Sequence, residues 1–194
     1  MKKNLLLMFV VLFCVSCLLE SKNPLSAPET AINDEKLCGI WKFVGKENKD
    51  EEGHLAIFKN ENNFYQFVLF DKNYLIEEDG IYNCFVTRIE NENFLNLKPF
   101  KNGFGFKENE LRDSYFFMHY KISNNFLNLS FFNNDYISRS IEECKIKGEI
   151  KKSDYLSIPF LDDESENLYN FVKESKLTDL IGKDRYNLVR LKLR

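Results

Sequence analysis

Residues 115–132 read YFFMHYKISNNFLNLSFF. Two runs of aromatic and aliphatic residues flank Ser123-Asn124-Asn125, a cluster with turn chemistry. In the second run Leu127, Leu129 and Phe131 alternate with Asn128, Ser130 and Phe132, the period of two that marks a half-buried strand. The stretch therefore reads as a β-hairpin. A related pattern lies upstream, where Asn93-Phe94-Leu95-Asn96-Leu97 matches Asn125-Phe126-Leu127-Asn128-Leu129. Each copy follows an Ile and an Asn-containing turn. Two copies suit two similar hairpins rather than a solenoid; the alternative is a chance recurrence in a chain rich in Asn and Phe.

Further strands are predicted outward from this hairpin. Residues 39–45 (GIWKFVG) place Trp41 and Phe43 on one face. Runs at 55–58 and 64–70 flank an Asn-rich turn at 60–63, and Asp79-Gly80 predicts a second turn before a strand at 81–89. Downstream, Ile137 and Ile141 sit four apart in a short helix over 135–144. A longer helix is predicted over 162–176, capped by Asp162 or Asp163 with acidic residues in its first turn. Residues 188–193 alternate Val189, Leu191 and Leu193, taken as inward, with Arg190 and Lys192. The expected fold is mainly β (α+β): an antiparallel curved sheet or barrel of about seven to nine strands with two helices near the C-terminus. An open α+β sheet is the alternative.

Composition narrows the function. The 194 residues carry 27 basic and 30 acidic side chains, a net charge of −3, so nucleic acid is not an expected partner. Two histidines leave little material for metal or acid–base chemistry. No phosphate loop, Gly-x-Ser-x-Gly elbow, zinc-protease motif or dinucleotide fingerprint occurs. No catalytic residue, metal or cofactor is expected, and the chain is read as a non-enzyme. His119 is weighed both as a functional residue and as a packed one. Three cysteines follow Cys17. Cys84 and Cys144 are candidate disulfide partners, with Cys38 left over; buried free thiols are the alternative. Nineteen Phe, nine Tyr and one Trp make the aromatic fraction 15%. Trp41, Phe43, Phe67, Phe85, Tyr115 and Phe117 are the candidate lining of a ligand cavity; the alternative is that such rings fill a core.

The first seventeen residues, MKKNLLLMFVVLFCVSC, join two lysines to an apolar run too short for a stable span. This is an export signal over 1–16. Its end, Cys14-Val15-Ser16-Cys17, resembles the bacterial lipoprotein lipobox, with Cys14 in place of the usual Leu. The resemblance implies a lipid thioether on Cys17, a cell-envelope location and a membrane partner. Leu18 after Cys17, in place of Asp, favours the outer membrane where there are two. Residues 17–36 read as the lipidated cysteine and a flexible tether spanning roughly 20–25 Å, followed by one β-rich domain over 37–194. The mature chain is similar to small bacterial lipoproteins of unassigned role, a likeness that implies fold and anchoring but no activity; the domain is expected to bind or interact without catalysis. Gly39-Ile40-Trp41 resembles the Gly-x-Trp of lipocalins, which implies a β-barrel carrier of a small apolar ligand. An envelope protein is the other expected partner.

Overall fold

A computed structural model describes residues 19–44, 53–60, 63–71, 73, 76–100, 114–152 and 157–192. The expected export signal over 1–16 and Cys17 lie outside them. Alternating polar and apolar runs build eight antiparallel strands: β2 (Gly39–Phe43), β3 (His54–Lys59), β4 (Phe64–Phe70), β5 (Ile76–Ile89), β6 (Glu92–Pro99), β7 (Tyr115–Ser123), β8 (Phe126–Phe132) and β11 (Ile181–Arg190). They pair in the order β2-β3-β4-β5-β6-β7-β8-β11, and β11 returns to β2, which closes the sheet into a barrel. Closure leaves no edge in the ring.

Three short strands extend from one side. β1 (Glu20–Ser21) pairs with the start of β7 and runs parallel to β10 (Ser157–Leu161), which pairs with β9 (Gly148–Lys152). Helices α1 (Asn134–Glu142), α2 (Ser165–Glu174) and α3 (Leu177–Leu180) lie with β9 and β10 in the connection from β8 to β11. Among the described residues no helix is long and apolar enough to cross a membrane.

Because β side chains alternate, each barrel strand feeds two cores. Trp41, Tyr65, Cys84, Val86, Leu95, Phe116, Met118, Tyr120, Leu127 and Leu129 point into the barrel. Phe94, Phe117 and Phe132 point outward, where Leu19, Leu25, Ile137, Ile146, Leu168 and Val172 cover them. The outward face of the 115–132 hairpin is thus a second core, which explains why Phe132 stands where simple alternation calls for a polar residue.

Several expectations change. The flexible tether is absent from residue 19 onward: Leu19 and Leu25 are 4% and 1% exposed, and Ile32 bridges to Val86. Buried Asn96 holds this segment, its Oδ1 accepting from Leu25 N at 2.7 Å while its Nδ2 donates to Thr87 Oγ1 at 2.8 Å. Thr87 Oγ1 in turn lies 2.6 Å from Ser26 Oγ. These polar partners are invisible to a composition that reads as linker. Asp79-Gly80 lies within β5 instead of forming a turn. Neither Asp162 nor Asp163 is the N-cap of α2; that position is Glu164, with no side-chain cap bond. The last strand has the opposite phase to that expected. Leu188 is fully buried in the barrel and Val189 is half-buried, because Leu188 is registered against Phe43 and Leu127, which face the barrel core, and the inward set is Tyr186, Leu188 and Arg190.

Candidate functional site

One end of the barrel is shut by the segment before β2. Asp34 caps a 3-10 turn at Glu35–Leu37, accepting from Lys36 N, and its other carboxylate oxygen accepts from Tyr120 Oη at 2.8 Å. Its backbone N–H donates to Tyr65 Oη at 2.6 Å, and that hydroxyl donates on to Asn33 Oδ1 at 3.2 Å. Burial raises the pKa of both tyrosines, and at Tyr120 the bond to Asp34 raises it further. These hydroxyls stay protonated and serve as fixed donors. Arg190 lies over Trp41, 4.3 Å from the ring, and donates to the carbonyls of Cys38 (2.8 Å) and Lys36. Trp41 Nε1 donates to Leu37 O at 2.8 Å. Gly39 has φ +143° and a Cβ there would stand 3.2 Å from the Arg190 guanidinium, so this position suits only glycine. Gly39-Ile40-Trp41 is therefore the floor of the barrel.

The six candidate cavity aromatics do not line one space. Trp41 and Phe67 are buried inside the barrel, and Phe43 packs on that core edge-on to Tyr186. Phe85, Tyr115 and Phe117 are on the outer face: Phe85 meets Phe64 and Tyr115 edge-on, and Phe117 packs against Phe132. Within the barrel, a void of about 30 Å³ lies among Leu55, Phe67, Tyr82, Phe116 and Phe131. That is room for about one water, far below the 300 Å³ or more of a typical ligand pocket.

A larger concavity lies outside the barrel, between α1, the turn that follows it and α2. Its volume is about 850 Å³. Ile141, Ile146 and Phe171 supply apolar surface, and Asp163, Asn167 and Asn170 supply polar groups. Tyr136 stacks on Phe171 with centroids 6.0 Å apart and donates from Oη to Ser175 Oγ at 3.0 Å, locking both helices. Asp163 accepts from Lys147 N at 2.9 Å and from Asn167 Nδ2 at 2.7 Å, which fixes the 144–148 turn against α2. Gly148 permits the close approach: a Cβ there would stand 2.5 Å from Phe160 O. Sequence reasoning did not find this groove, because its walls come from segments some thirty residues apart with no shared motif; the amphipathic spacing of the two helices was the available signal.

The cysteines stay apart. Cys84 is buried in the barrel wall, Cys38 is half-buried and Cys144 is exposed at the groove; all three are free. The Cys84–Cys144 disulfide is thus not formed, since one partner points into the barrel and the other lies beyond α1. Burial pushes the Cys84 thiol well up. Among the described residues no cluster of three or more His, Cys, Asp or Glu stands ready for a metal.

His119 is buried on the outer wall, its Nε2 2.6 Å from Glu92 Oε2, while Lys121 Nζ holds the other oxygen at 3.1 Å. Burial lowers the His119 pKa and outweighs the carboxylate beside it. The Glu92 carboxyl is pushed up by burial but ends low, because His119 and Lys121 hydrogen-bond its charged form. The imidazole packs edge-on to Phe94 and lines neither the barrel void nor the groove. Compared with protein-family models, with curated proteins and with solved structures, the chain has no significant match in any of the three.

Proposed function

We propose that the chain is a membrane-tethered lipoprotein of the cell envelope, acylated on Cys17, whose barrel domain binds a partner without catalysis. The observation that carries the binding reading is the space among the described residues: about 850 Å³ in the α1–α2 groove against a void of about 30 Å³ within the barrel. The groove combines apolar surface with fixed amide and carboxylate groups, the mixture that suits a protein segment. The anchoring reading rests on the lipobox-like ending at Cys17. Two or three acyl chains, at about 0.8 kcal/mol per buried methylene, hold a domain stably.

The test has two arms. Cys17→Ala should abolish acyl labelling and release the protein from the membrane fraction; unchanged labelling and fractionation overturn the anchor. A photo-crosslinker on Cys144 should capture a partner that the same reagent on Phe58→Cys in a Cys144→Ser background does not, and Asn170→Arg should remove that product. Identical products from both positions overturn the groove. The barrel fold is also compatible with a lipocalin-like carrier of a small apolar ligand. That reading requires saturable uptake of an apolar fluorophore into the interior, with displacement of the Phe67 or Phe131 ring.

A further inference from the structure

We propose that the α1–α2 groove continues onto the open edge of β9, and that its partner is an extended segment of alternating acidic and apolar residues, held as an added strand. This deepens the groove reading by naming how the partner is bound. Among the described residues β9 has one strand neighbour, β10. Asp162 N donates to Lys147 O at 3.1 Å, so residue 147 is a hydrogen-bonded position that carries the ladder one residue beyond β9. Alternation makes Glu149 and Lys151 the next two such positions. The N–H and C=O of Gly148 and Ile150 therefore turn away from β10. Pro159, with no N–H to give, stands opposite Ile150, as that phase requires. Gly148 also lines the groove beside Ile146 and Lys147, so the outward backbone groups begin where the groove ends. An edge of this kind takes an extended peptide through main-chain hydrogen bonds.

The two faces of β9 set the partner's chemistry. A Cβ on Gly148 would stand 3.0 Å from Ile141 Cδ1, so the side shared by Gly148 and half-buried Ile150 faces α1. The other side carries Lys147, Glu149 and Lys151. Lys147 Nζ lies 3.5 Å from Asp162 and Lys151 Nζ 3.6 Å from Glu149, loose pairs that leave 71% and 38% of the two lysine side chains exposed. Residues 145–152 read KIKGEIKK, four lysines against one glutamate in a chain of net charge −3. An added strand thus meets apolar surface on one side and lysines on the other. The same lysines disfavour a second copy of β9 on this edge, because like charges would stand side by side.

The test titrates the isotope-labelled full chain with a short peptide alternating valine and glutamate. The backbone N–H signals of Gly148 and Ile150 should shift, and their hydrogen exchange should slow several-fold. A valine–lysine peptide should bind several-fold more weakly. Ile150→Pro removes one outward N–H and leaves the β9–β10 ladder intact, so it should weaken the valine–glutamate peptide roughly tenfold with an unchanged melting curve. Lys147→Glu combined with Lys151→Glu should reverse the preference between the two peptides. Strand addition is overturned by unshifted Gly148 and Ile150 signals at the solubility limit of the peptide, or by equal binding to Ile150→Pro. A preference that does not reverse overturns the acidic partner. Shifts confined to the side-chain amides of Asn167 and Asn170 overturn strand addition and leave the groove reading standing. Shifts at Gly148 and Ile150 without a distinct product from the Cys144 crosslinker support strand addition and overturn the groove.

Discussion

Gly39 shows how one residue is fixed by its surroundings. Its φ of +143° is open to glycine, and the Arg190 guanidinium leaves 3.2 Å for any Cβ. Gly39→Ala should cost about 1–3 kcal/mol, read as a lower urea midpoint. Arg190→Lys should cost a similar amount, since an ammonium cannot reach both carbonyls while covering Trp41. His119 makes a pH prediction. Its folded pKa lies below the ordinary value of about 6.5. Below that value the unfolded chain takes up the proton first, so stability falls as pH drops from about 6.5 toward the folded pKa. Glu92, also lowered, adds a loss at still lower pH, as its carboxylate is protonated through the folded pKa. Urea midpoints at pH 7.5 and 5.5 should differ less in His119→Gln than in the parent chain.

At the scale of elements, the segment from Leu19 to Leu37 is the part that composition misled. Pro24 and Pro28 with Ser, Asn and Glu read as linker, yet the backbone finds partners on Asn96, Val86 and Leu161. Asn96→Ala should cost about 1–3 kcal/mol by stranding the Leu25 N–H, and should speed proteolysis ahead of Ala31. The strands were legible because their alternation is local, and so were α1 and the main part of α2. The phase of β11 was not. Arg190 reads as outward by polarity, and only the ring of Trp41 beneath it explains why a charge turns inward at the barrel floor. The groove was illegible for a related reason: its shape depends on how α1 and α2 are set against each other by Tyr136, Phe171 and Asp163, none of which carries a motif.

Among the described residues, most of the aromatic surplus divides between two cores, while Phe58 and Phe126 stay exposed. The free thiols report on this packing. A thiol reagent should modify Cys144 rapidly in the folded chain and Cys84 only on unfolding, with Cys38 between them, and a reductant should leave the melting temperature unchanged. A disulfide between Cys84 and Cys144 in mass spectra of the native protein contradicts this arrangement.

The ring is completed by its last strand. β11 pairs with β2 on one side and β8 on the other, so the earliest barrel strand waits for residues near the end of the chain. Until β11 has docked, the other seven strands form a sheet with two open edges, β2 and β8. Those edges are vulnerable to mispairing until β11 is in place. Closure therefore joins the first barrel strand to the last, and a chain cut before Ile181 is left with an unclosed barrel and a route to aggregation.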